Sequence, residues 1–193
     1  IAAHGAGFHD AVVGYTWPGG EAPLDWFLPR RRAGRAGPRL GAVLDRLRRS
    51  AASIDVMSHS LGARVALKAI DAAARRAVRV HFLLASAVDN ESIEAGERYH
   101  AATRKTGETL VLHSRHDSIL KYGFTAAQWD LALGLHGPED PGDIAAHSPN
   151  VVVGNCKHVV RRHGQYKSSV EVYRFLRRWM SGQVQGQFVT VPR

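Results

Sequence analysis

The sequence predicts an α/β fold in which a mostly parallel β-sheet is flanked by helices. Short apolar runs alternate along the chain with segments of helical periodicity, as they do when each strand is followed by a covering helix. The run from Val78 to Ala87 is apolar almost throughout, which suits a strand buried on both faces of a parallel sheet. A chain of 193 residues, 45% hydrophobic and 22% charged, has the size and composition of one globular domain. Disordered, collagen-like and coiled-coil chains are excluded on composition, and residues 1–193 are read as a single domain.

Taken in order, Ala11 to Trp17 reads as a strand stopped by Pro18-Gly19-Gly20. An Arg/Gly/Pro loop at 30–39 follows. Leu40, Val43, Leu44 and Leu47 then recur at helical spacing over 39–50, ahead of a second strand at Ile54–Ser58. Val65, Ala66, Ala69, Ile70 and Ala73 form an apolar stripe on a helix over 61–76. Val78–Ala87 is the third strand, Glu91–Lys105 a helix, Thr109–Ser114 the fourth strand, and Val151–Val153 opens a fifth. Between them, 121–150 holds Gly134, Gly137, Pro138, Pro141, Gly142 and Pro149, and reads as loops around a short helix, a lid or loop insertion. Ser168 and Glu171 have capping-box spacing and start a last helix with Val172, Phe175, Leu176 and Trp179 inward.

Charge and cysteine content narrow the functional classes. Lys and Arg total 26 against 17 Asp and Glu, a net charge of +9, which raises nucleic acid as a partner. Yet 21 of those cations are Arg, scattered along the chain, with groups at 30–35, 46–49 and 174–178 but no single stripe, and cations in a last helical turn also favour the macrodipole. Nucleic acid is therefore the weaker reading. The one cysteine, Cys156, excludes a disulfide framework and the usual cysteine zinc sites. No run approaches the ~20 apolar residues of a membrane span, and the start lacks the apolar stretch of a signal peptide, so a cytoplasmic protein is expected, with no membrane partner.

Chemistry concentrates at Ser58-His59-Ser60-Leu61-Gly62, where a strand runs into a helix through small residues. The central residue of such a turn has a strained backbone and crowded neighbours, and its side chain stands above the sheet. Ser60 fits a nucleophile there, with the Leu61 N–H aimed at developing oxyanion charge; an N-capping serine in an ordinary turn is the alternative. A serine nucleophile needs a base and an acid to orient it. Asp117 follows the fourth strand and His163 precedes the last helix, giving the chain order Ser60, Asp117, His163. Asp89 is a rival acid, His158 a rival base, and His59 is expected to pack or hydrogen-bond away from Ser60. Trp17 and Trp129 are candidates to line an acyl pocket, or equally to pack structurally. His113, His116 and Asp117 are of metal-ligating types, but their spacing argues against a metal.

Gly14-Tyr15-Thr16-Trp17-Pro18, His59-Ser60-Leu61-Gly62, His113-Ser114-Arg115-His116-Asp117, Ala132-Leu133-Gly134-Leu135-His136-Gly137-Pro138 and the His163 loop resemble the serine-nucleophile type of the α/β-hydrolase superfamily, in an uncharacterised bacterial branch. The resemblance runs over nearly the whole chain. It implies Ser60 as nucleophile, His163 as general base, Asp117 as its orienting acid, and cofactor-free hydrolysis of a small ester or related acyl compound. A second oxyanion donor usually comes from a loop after an earlier strand. His4-Gly5 is the candidate, but no apolar strand precedes it, and a chain starting at Ile1 is expected to lack the first strands of the sheet. A noncatalytic binding or scaffold domain of the same fold is the rival.

Overall fold

The computed structural model describes residues 11–18, 27–74 and 76–193, and of residues 27–30 only the backbone. Five parallel strands form one sheet in sequence order: β1 (Asp55–His59), β2 (Val78–Leu84), β3 (Thr106–His113), β4 (Val151–Asn155) and β5 (Phe188–Thr190). Each pair is in parallel register, Ser58 facing Leu83, Leu83 facing Val111 and Val111 facing Val153. Parallel strands need crossovers, so every carboxyl end opens onto the same rim of the sheet.

Alternation along β2 and β3 feeds two cores. Phe82, Leu84, Leu110 and Leu112 point to one face, against Val172, Phe175, Leu176 and Trp179 of the last helix. Leu83 and Val111 point to the other, against Ala63, Leu67 and Ile70 of the helix after β1. Helices therefore cover both faces, which is why β2 is buried at every position except Arg79. Arg79 forks onto the Asp55 carboxylate at the amino end of the sheet.

Several local expectations are corrected. Residues 11–17 form no strand; they are irregular and largely exposed, with Tyr15 Oη donating to the Ala36 carbonyl at 3.2 Å. The Arg/Gly/Pro segment is not a loop but part of a 21-residue helix, α1 (Phe27–Leu47), with Pro38 inside it. Ala33, Ala36, Gly37, Leu40, Gly41 and Leu44 form its inner stripe, at helical spacing but made mostly of residues too small to register as hydrophobic. That smallness is what the packing requires: a Cβ on Gly37 would lie 2.5 Å from Lys68 Cβ, and one on Gly41 2.8 Å from the Ala69 carbonyl. Both contacts belong to α2 (Gly62–Ala72).

The expected helix over 91–105 shrinks to α3 (His100–Arg104). Gly96 sits at φ 83°, outside helical space, and the Tyr99 N–H turns back to the Ser92 carbonyl at 2.7 Å around a fully buried Ile93. The stretch after Asp117 holds a π-helical turn (Ile119–Phe124), α4 (Thr125–Gln128), α5 (Leu133–His136) and α6 (Pro141–His147). Within it, Ala132, Leu133 and Leu135 are buried, and Gly134 crosses so close to the end of β2 that a Cβ would fall 2.1 Å from the Ser86 nitrogen. The last helix, α7 (Val170–Met180), is capped by Ser169 rather than Ser168: Ser169 Oγ accepts from the Val172 N–H at 3.2 Å and donates to Glu171 at 2.8 Å. β5 has no counterpart in the sequence reading, being three residues long and half-exposed.

Candidate active site

β1 ends at His59 and α2 begins at Gly62, which leaves two residues to reverse the chain. Ser60 makes the turn with φ 55°, a left-handed backbone that a residue with a side chain rarely adopts. It is held there by its own peptide groups. The Ser60 N–H donates to the Leu84 carbonyl at 3.0 Å, and the Ser60 carbonyl accepts from Ala63 at 3.0 Å and Ala87 at 3.1 Å. The elbow is thus tied both to α2 and to the end of β2. Leu61 follows in αR geometry, and its N–H has no hydrogen-bond partner among the described residues.

The steric reason expected for the small flanking residues is corrected in part. Ser58 is buried, with its Oγ 2.9 Å from His81 Nε2, so its size and its hydroxyl both matter. Gly62 has no described atom within 4 Å of where a Cβ would stand. His81 is fully inside the sheet, and burial pushes its pKa down to about 3, so it is neutral beneath the elbow.

Asp117 lies just past β3, fully buried, and its carboxylate divides its bonding. Oδ1 accepts the Leu120 N–H at 3.1 Å, and Oδ2 accepts from His163 Nδ1 at 2.7 Å. An ionised carboxylate can only accept, so His163 donates through an Nδ1–H, and its Nε2 makes no bond among the described residues. His163 opens a 3-10 turn (His163–Lys167) and keeps 17% of its side chain exposed. Its carbonyl is bonded to His59 Nε2 at 2.8 Å, and the two imidazole rings stand 4.7 Å apart. Burial, above all, drops the His59 pKa to about 4, so this neighbour of Ser60 stays neutral and donates to the His163 loop. That tie between residues 59 and 163 has no trace in local sequence.

The other candidates lie apart from this pair. Asp89 forms an isolated antiparallel bridge with Ala132, and His158 is exposed among cations, with no acid bonded to its ring among the described residues. Trp17 packs on Ala33, Ala36 and Val65 of the α1–α2 contact, and Trp129 stands 93% exposed at φ 57° where α4 ends. Trp17 thus takes part in helix packing, the alternative given for it, and also borders a hollow with Tyr15, Pro18 and Arg32, while Trp129 projects into solvent. His113 is buried beside Gly137, burial holding its pKa down to about 4, and no group of three or more His, Cys, Asp or Glu side chains is placed to hold a metal among the described residues. The His4-Gly5 candidate for a second oxyanion donor lies outside the described residues.

A family described as "Alpha/beta hydrolase of unknown function (DUF900)" matches residues 1–141, a span that takes in Ser60 and Asp117 and ends before His163. No curated protein and no solved structure matches the chain.

Proposed function

The chain belongs to this family of α/β hydrolases of unknown function, and from that premise we propose that it is a serine hydrolase acting on an ester or related acyl compound through Ser60, His163 and Asp117. The observation that carries the proposal is the 2.7 Å bond from His163 Nδ1 to a fully buried carboxylate, which fixes the imidazole's orientation and leaves Nε2 without a bond among the described residues. The strained turn at Ser60 and the unpartnered Leu61 N–H support it from the nucleophile's side.

In this reaction His163 Nε2 takes the proton from Ser60 Oγ as the oxygen bonds to the acyl carbon. The carbonyl oxygen becomes an anion facing the Leu61 N–H, a donor of a kind worth about 10²–10³ in rate. The imidazolium, steadied by Asp117, returns its proton to the departing alcohol. Water then repeats the sequence on the acyl-enzyme and frees the acid. His59 contributes by fixing the backbone of the histidine loop relative to the elbow.

A fluorophosphonate probe tests the proposal directly. The folded protein is expected to be labelled, and Ser60→Ala to lose the label together with turnover of a short-chain p-nitrophenyl ester. Undiminished labelling of Ser60→Ala would return the chain to the reading of a noncatalytic binding domain.

A further inference from the structure

Three of the loops at the carboxyl rim of the sheet hold an excess of cations, whereas the loop after β2 carries Asp89, Glu91, Glu94 and Glu97. Segments 113–118, 155–167 and 188–193 carry Arg115, Lys157, Arg161, Arg162, Lys167 and Arg193 against a single acid, Asp117, which is buried and bonded to His163. Backbone geometry gathers them. The Cys156 N–H donates to the His113 carbonyl at 2.8 Å, and Ser114 Oγ donates to the Val160 carbonyl at 2.7 Å, so the residues that come next, Arg115 and Arg161, issue from two loops tied together. The Val191 N–H donates to the Asn155 carbonyl at 3.0 Å, which brings the segment ending in Arg193 beside Lys157.

The side chains sense one another. His158 is held below the ordinary histidine value by desolvation and by the charges of Lys157, Arg193, Arg115 and Arg161; His116 is held down by desolvation and by Arg161, Arg115 and His158. Arg115, Arg161 and Arg193 are exposed, Lys157 is half-buried, and among the described residues none of the four side chains has an ion pair or hydrogen bond. Like charges gathered this closely repel in the free protein, and a ligand with more than one negative charge relieves them. The planar guanidinium fork matches phosphate oxygens in particular. Arg174 and Arg178 of α7 line one hollow with Arg193 and the acid Glu171, so the cations that no acid attends are those of the two tied loops, a patch whose size fits a compact anion.

We propose that the rim formed by Arg115, Lys157, Arg161 and Arg193 binds the phosphate of a small phosphate-bearing molecule and, resting on the serine hydrolase reading, that the ester cleaved at Ser60 belongs to a substrate carrying that phosphate.

Isothermal titration calorimetry with inorganic pyrophosphate on the full chain tests the site without requiring turnover. Binding is expected to weaken about tenfold or more in Arg115→Gln/Arg161→Gln, the scale of losing charge-assisted bonds, and to stay unchanged in Arg46→Gln/Arg48→Gln and in Ser60→Ala. Because Ser60→Ala is expected to bind, a failure of esterase activity leaves this result readable. For the substrate assignment, kcat/KM for a phosphate-bearing acetate ester is expected to exceed that for its neutral analogue, with the preference abolished in the Arg115/Arg161 variant. No pyrophosphate binding, an equal loss in the Arg46/Arg48 variant, or a short single-stranded RNA that binds the rim far more tightly than pyrophosphate would each overturn the proposal.

Discussion

His163 has two tethers of different kinds, and they do different work. The side chain is aimed by Asp117 through Nδ1, while the main chain is fixed by His59 through the carbonyl. Asp117→Asn keeps the shape but can present its amide N–H to the ring, favouring the wrong tautomer. The expected outcome is a fall in kcat of about 10³–10⁴ with an unchanged circular dichroism spectrum, whereas Asp89→Asn leaves kcat near the wild-type value. The pairing of Asp117 with His163 was legible because each follows a strand end, a local signal. The His59 bond was not, since it joins residues 104 apart. Nor was the exposure of Trp129, which depends on α4 ending in a left-handed residue.

At the scale of elements, strands β1 to β4 were readable from apolar runs, while α1 was misread through its composition. Gly and Pro usually punctuate structure, but here glycine lets two helices approach and the packed stripe outweighs the lost hydrogen bond at Pro38. This makes two glycines of one helix opposite in effect. Gly41→Ala should cost about 1–3 kcal/mol, because its methyl group meets the Ala69 carbonyl and the helices must part. Gly34→Ala should gain up to about 1 kcal/mol, because its nearest neighbour is the Lys68 Nζ at 3.8 Å and helix propensity then decides. Urea unfolding midpoints of the two variants check the signs. The helix predicted over 91–105 failed for the converse reason: buried Ile93 and the turn at Gly96 hold a local structure that periodicity does not describe.

Across the whole molecule, three histidines in different places are kept neutral by burial: His59 at the elbow and His113 past β3 near pKa 4, and His81 within the sheet near 3. An unfolded histidine takes up its proton below about pH 6.5, but these do not while the chain is folded. The unfolded state therefore binds more protons between pH 6 and 4, so stability is full above that window and falls as pH drops through it. Three such groups give a slope of about 4 kcal/mol per pH unit. Urea titrations across this range should show it, and His81→Gln should remove one proton's share from the slope. Among the described residues no helix is long and apolar enough to cross a membrane, and the helices on both faces of the sheet leave its carboxyl rim as the place where the candidate chemistry and the unpaired cations meet.

Cys156 lies on that rim but faces inward. It is fully buried in the core shared with α7, and burial pushes its thiol pKa up to about 12. The folded chain thus presents electrophiles with no thiol competitor, its one cysteine being both shut away and protonated. A covalent mark acquired in the native state therefore reports on a group other than a thiol, which suits this chain to activity-based profiling without prior thiol blocking.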